Sequence, residues 1–120
     1  GVAGTLIDGV CRDLPTIHEL NYNIFTKGYY MVTGKDRVEV DQVNVPVSVS
    51  GVRIEPGDLV VGDATGVVIV PQIKAEKVLA VAKEIAEKEA QIEANVRAGM
   101  PVGEARAKVG YHHLQTRVEE

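Results

Sequence analysis

The sequence predicts an α/β fold, and three observations predict it. Between Arg37 and Pro71, valine recurs with a period of two in short segments separated by turn residues. Lys74 to Ala98 is instead a long run rich in Ala, Glu, Lys and Ile, the composition of a helix. The 120 residues contain no tryptophan and one phenylalanine, so the core has to be made of Val, Ile, Leu and Ala, which suits sheets. With 45 % apolar residues, such a chain can bury one modest core.

Gly1 to Ile7 is small and apolar throughout and reads as a short buried strand, stopped by the turn dipeptide Asp8-Gly9. Leu14, Ile17 and Leu20 then fall at helical intervals. Pro15 is tolerated in the first turn of that helix, where its missing N–H costs nothing, and Asn21 ends it. Asn23 to Lys27 is a second strand, and Gly28 to Gly34 is irregular or extended. Val38, Val40 and Asp41 to Val45 lead through Pro46 to Val47 and Val49. Val52 and Ile54 follow, then Leu59 to Val61 after the Pro56-Gly57-Asp58 turn, then Val67 to Val70 after Gly62 to Gly66. Four or five short strands with turns between them predict an antiparallel or mixed sheet region.

The helix over Lys74 to Ala98 ends at Gly99, with Pro101 just beyond, and carries Val78, Val81, Ala82, Ile85, Ile92 and Val96 on its apolar face. Val102 to Val109 predicts a second short helix stopped by Gly110, and the tail from Tyr111 is polar. We expect an α/β part over 1–73 and a helical extension over 74–120. The strand-like opening at Gly1, without an initiator methionine, leads us to expect part of a longer unit.

Charge and composition narrow the function. Seventeen acidic against thirteen basic residues, with no basic block, argue against nucleic acid as a partner. Apolar runs such as Val67 to Val70 fall far short of the ~20 residues that span a bilayer, so no membrane insertion is expected. The lone Cys11 forms no intramolecular disulfide or cysteine-based zinc cluster, and a reducing cytoplasm is the expected location.

The most informative segment for chemistry is Asp8-Gly9-Val10-Cys11-Arg12-Asp13, where a buried strand meets a helix. Ligands usually bind at such junctions of open α/β layers. Arg12 offers a bidentate clamp for a carboxylate, and Asp13 offers a hard oxygen ligand for a divalent metal. A structural reading stands beside this one: Asp13 caps the helix from Leu14 and Arg12 is a solvated surface charge.

Gly4 to Asp13 resembles the G-x-x-x-D-G-x-x-R-D signature of the RraA-like family, which contains the regulator of ribonuclease activity A and the 4-hydroxy-4-methyl-2-oxoglutarate aldolases. Asn21 to Gly28 is similar to that family's G-F-P-V-F-A-R-G stretch, with Asn23 where proline is usual. Val43 to Val47, Gly51-Val52, Pro56 to Val60 and Asp63 to Pro71 resemble its later blocks in the right order. The resemblance implies a β/β/α swivelling-type sandwich, here lacking the family's N-terminal half, assembled as a homotrimer or hexamer with sites between subunits. It also implies Mg²⁺- or Mn²⁺-dependent cleavage of small 4-hydroxy-2-oxo acids to pyruvate, and decarboxylation of oxaloacetate. Asp13 would then be the metal ligand, and Arg12 would hold the substrate carboxylate or oxo group. The segment that precedes the match in the family supplies an amide loop and an acidic residue, so activity is expected to require it. A non-catalytic, protein-binding regulator of a ribonuclease is the competing function.

Helix geometry adds Glu89. At about 100° per residue it falls about 20° from Val78, inside the apolar stripe, where a carboxylate is costly unless paired. It is expected to meet a cation, a metal-bound water or a polar subunit interface, unless the helix projects beyond the core and its stripe is wet. The resemblance implies a glutamate from a neighbouring subunit near the site, and Glu89 is the candidate. His18, His112 and His113 are expected at the surface or an interface. Asp58 and Asp63 are expected to bond their own turns, and Cys11 to be a small buried hydrophobe.

Overall fold

The computed structural model describes residues 1–111, and His112 and His113 lie outside them. The chain folds as two units, the first being Gly1–Ile73 and the second beginning at Lys74. No helix among the described residues is long and apolar enough to cross a membrane.

In the first unit, β1 (Thr5–Cys11), α1 (Leu14–Glu19) and β2 (Ile24–Tyr29) form a strand-helix-strand unit in which β1 and β2 pair in parallel. The turn expected at Asp8-Gly9 is corrected here. The strand runs through it, and the two residues form an irregularity where the register shifts between Ile7 and Val10. Strand pairing on both sides holds the chain extended, so a dipeptide that favours a turn becomes a bulge. Backbone bonds from Thr5 N to Asn23 O (2.9 Å) and from Tyr30 N to Cys11 O (2.8 Å) close the two ends of the ladder.

The valine-rich region forms two antiparallel hairpins, β3 (Val47–Val49) with β4 (Val52–Ile54) and β5 (Leu59–Asp63) with β6 (Gly66–Val70). Val38 and Val40 to Val45, expected to lead into that sheet, form no strand. The described strands make three separate two-stranded sheets. In the β3–β4 turn both Ser50 (φ 50°) and Gly51 (φ 81°) are left-handed, as the right-handed twist of a two-residue hairpin requires. The expected self-bonding of Asp63 is present, since its Oδ1 accepts from Thr65 N (2.7 Å), Thr65 Oγ1 and Gly66 N (3.2 Å). These bonds, the Thr65 hydroxyl first, hold its pKa below the ordinary value. Asp58 likewise accepts from Glu55 N (2.9 Å) and from Gln72 N (3.2 Å).

Leu6, Ile7, Phe25, Val49, Ile54, Val67 and Ile69 are half-buried and mark the inner side of this unit. A Cβ at Gly62 would lie 2.5 Å from Phe25 Cζ, so glycine is what lets β5 approach the Phe25 ring. The opposite faces stay open, with Val52 at 51 % and Val68 at 62 % exposure.

In the second unit, α2 (Ala75–Arg97) and α3 (Val102–Lys108) lie within one residue of the expected bounds. Gly99 N donates to Val96 O and Met100 N to Asn95 O, the paired bonds of a Schellman stop. Glu84 with Lys88 and Glu93 with Arg97 support α2 as i,i+4 ion pairs at 2.6 and 2.5 Å. The Lys88 ammonium lowers the Glu84 pKa. Ala105 of α3 is the one fully buried hydrophobe among the described residues.

Candidate functional site

The end of β1 delivers Cys11, Arg12 and Asp13 to the start of α1. Asp13 occupies the N-cap position with left-handed dihedrals (φ 63°, ψ 38°), and its carboxylate makes no capping hydrogen bond. The capping reading of Asp13 is therefore corrected. Aspartate is among the few residues that tolerate this backbone, whose strain is of order 1 kcal/mol and is characteristic of functional sites.

The carboxylate turns back onto its neighbour. Arg12 Nε donates to Asp13 Oδ1 at 3.2 Å and to Oδ2 at 3.1 Å. Arg12 is thus not a free solvated charge, although the side chains remain 47 % and 63 % exposed. Among the described residues these are the hydrogen bonds of Arg12, and they use the inner edge of the guanidinium. The outer edge, with its two terminal nitrogens, stays available as a fork for a carboxylate or an enolate oxygen.

Arg12 and Asp13 line a cleft of about 320 Å³ together with Leu14, Pro15, Tyr29 and Tyr30. Arg12 also lines a larger cleft of about 500 Å³ with Cys11, Tyr30, Thr33 and Arg37. A different cleft of about 320 Å³, between β1–β2 and the hairpins, is walled mainly by Leu6, Phe25, Val49, Val52 and Ile69 and lacks paired acid and base groups. Its lining is mainly apolar, whereas the clefts at Arg12 carry charged side chains.

Among the described residues no group of three His, Cys, Asp or Glu is placed to hold a metal. Asp13 is a single exposed hard-oxygen donor. That suits Mg²⁺ or Mn²⁺, which keep several waters and accept one protein carboxylate, and it does not suit an ion needing a closed protein cage.

The structure adds a residue whose role the sequence did not reveal. Asp8 Oδ1 accepts from Lys27 Nζ (2.5 Å), Ser50 N (3.1 Å) and Ser50 Oγ (3.1 Å), joining β1, β2 and the β3–β4 turn at the bulge. The Lys27 bond is the main reason its pKa is lowered, against a smaller opposing effect of desolvation, with the Ser50 bonds assisting. Nothing local in the sequence marks this contact: it follows from the parallel pairing, in which Ile7 lies opposite Thr26 just before the register shifts at Asp8.

A group with a depressed folded-state pKa contributes stability above its unfolded value, about 3.9 for aspartate, and loses it as pH falls through the folded value. Asp8→Asn is accordingly expected to lower Tm by a few degrees at pH 7 and to melt more like the wild type below pH 3. Thermal melts across pH 2–7 check this; parallel curves would show that Asp8 carries no linked charge.

Glu89 is exposed on α2 and makes no ion pair among the described residues. The stripe around it is wet in this chain, with Val78 at 42 % and Val81 at 49 % exposure, so the expected local cation partner is absent from the described residues. His18 is exposed, as expected, whereas Cys11, expected to be buried, is a half-buried free thiol 3.9 Å from the Thr26 hydroxyl, because the strand end that carries it has no cover on one side among the described residues.

Residues 1–69 match the family model described as RraA-like, Aldolase/RraA. The chain belongs to the RraA-like family. A Halalkalibacterium halodurans protein named "Putative 4-hydroxy-4-methyl-2-oxoglutarate aldolase" is 43 % identical over 98 residues, covering 82 % of this chain and 45 % of the relative. An uncharacterized Methanocaldococcus jannaschii protein is 37 % identical over 99 residues, with 82 % and 47 % covered. The crystal structure of an uncharacterized Pseudomonas syringae pv. tomato protein superposes with a TM-score of 0.85 at 39 % identity, covering 88 % of this chain and 53 % of that one. The chain spans about half the length of these three proteins.

Proposed function

We propose that this chain contributes the Arg12–Asp13 corner of a divalent-metal-dependent aldolase that cleaves small 4-hydroxy-2-oxo acids and releases pyruvate. The observation that carries the reading is the guanidinium held by Asp13 on one edge and open on the other, above a cleft. The aldolase name of the Halalkalibacterium relative supports it over a binding regulator.

In the reaction, the 4-hydroxyl loses its proton and the C3–C4 bond breaks. The bond electrons pass into the enolate of pyruvate, which takes a proton at C3. Arg12 binds the 2-oxo acid through its outer edge and neutralises the oxyanion that develops next to the breaking bond. Its hydrogen bonds to Asp13 fix the guanidinium before substrate arrives, so little reorganisation is left for the reaction. Asp13 would hold Mg²⁺ or Mn²⁺. When bound, that ion supplies Lewis-acid polarisation of the 2-oxo group. Oxaloacetate decarboxylation passes through the same enolate, with CO₂ as the leaving group, and is a second expected activity.

Glu89 would hold or move a proton at a site on a neighbouring copy, in a trimer or hexamer. The exposed valines of β3 to β6 support association, because open apolar faces and strand edges favour it. Release of pyruvate from 4-hydroxy-4-methyl-2-oxoglutarate by the full-length protein, followed with lactate dehydrogenase, tests the reading. We expect turnover that needs Mg²⁺ or Mn²⁺ and stops with EDTA. Turnover unaffected by EDTA, or its absence with either ion, would contradict it.

A further inference from the structure

We propose that Arg37 is a second carboxylate anchor in the larger of the two clefts that Arg12 lines, selecting 2-oxo acids that carry a carboxylate at both ends. The inference rests on the aldolase reading for the role of Arg12, but the anchor itself is a binding property. Arg12 and Arg37 line the same cleft of about 500 Å³, a volume that accommodates a small diacid. Arg12 contributes its open outer edge. Arg37 makes no ion pair among the described residues, and neighbouring Asp36 is not its partner.

Arg37 sits on a turn held by local bonds. Arg37 N and Val38 N both donate to Gly34 O, at 3.0 and 3.1 Å, and Lys35 N donates to Thr33 Oγ1 at 3.2 Å. Asp36 takes a left-handed φ of 60° within it, and a Cβ at Gly34 would lie 3.1 Å from Val38 Cγ2. The turn therefore presents Arg37 on a defined backbone, which reduces the ordering cost of binding. The same cleft is also lined by Val10, Tyr30 and Val32, which suits the methylenes of a diacid. One guanidinium recognises one carboxylate, and a second cation lining the same partly apolar cleft favours a ligand with charge at both ends over one with an apolar end.

The test measures equilibrium binding to the full-length protein by calorimetry with Mg²⁺ present, so that it does not depend on turnover. The probes are 2-oxoglutarate and 2-oxopentanoate, which share a five-carbon chain and differ in the second carboxylate. We expect 2-oxoglutarate to bind at least ~10-fold more tightly, the equivalent of about 1.4 kcal/mol. Arg37→Gln should remove this advantage and leave 2-oxopentanoate affinity unchanged, and Arg37→Lys should keep part of it. An unchanged preference in Arg37→Gln, an equal loss for both probes, or no binding of either to the wild type would overturn the proposal. If the preference follows Arg37 but no 4-hydroxy-2-oxo acid is cleaved, the anchor stands and the aldolase reading falls. If cleavage occurs and the preference is indifferent to Arg37, the aldolase reading stands and the anchor falls.

Discussion

Asp13→Asn in the full-length protein is expected to reduce pyruvate release by at least ~100-fold, with Tm nearly unchanged. Asparagine tolerates the left-handed backbone of Asp13 as well as aspartate does, so this substitution removes charge without adding strain. The side chain is exposed and caps nothing, so the fold gives little in return. Arg12→Ala should cost about 100- to 1000-fold by removing the oxyanion partner. Arg12→Lys should recover little, because an ammonium cannot bind Asp13 along one edge and substrate along the other. Steady-state turnover and melting temperature measured on the same preparations check both variants. Wild-type turnover in Asp13→Asn would remove the metal assignment.

Glu89→Gln should lower turnover by at least ~100-fold, the lower range for a proton-transfer group, while Tm holds. The helix gives a clear basis for the second half of that expectation. Glu89 is exposed and unpaired among the described residues, so its charge holds no described part of α2 in place. If the residue acts in a neighbour's site, mixing inactive Arg12→Ala with inactive Glu89→Gln after reversible dissociation should restore part of the activity. In such a mixture some sites combine an intact Arg12 from one copy with an intact Glu89 from another. No recovery from subunits shown to have exchanged would place Glu89 outside a shared site, and unchanged turnover in Glu89→Gln would end its catalytic role.

Part of this site was legible in the linear sequence because it is local. Arg12 and Asp13 are adjacent, so their cooperation needs no knowledge of the fold, and the helix that follows them was marked by Leu14, Ile17 and the early Pro15. Glu89 was placed within a stripe by periodicity, but periodicity says nothing about what covers the stripe. Asp8 was misread for the same reason. Asp8-Gly9 favours a turn in isolation, and only pairing with β2 on both sides keeps it in a strand.

The sequence by itself determined the helices, the turn between β5 and β6 and the short strands from Val47 to Val70, since periodicity, turn residues and helix stops act over a few neighbouring positions. The tertiary structure decided the rest. It split the strands into three sheets, drew Ser50 to Asp8 across 42 positions, and brought Arg37 to a cleft shared with Arg12. Each of these depends on contacts between residues far apart in the chain or on the strain those contacts impose, and local preference carries no record of them.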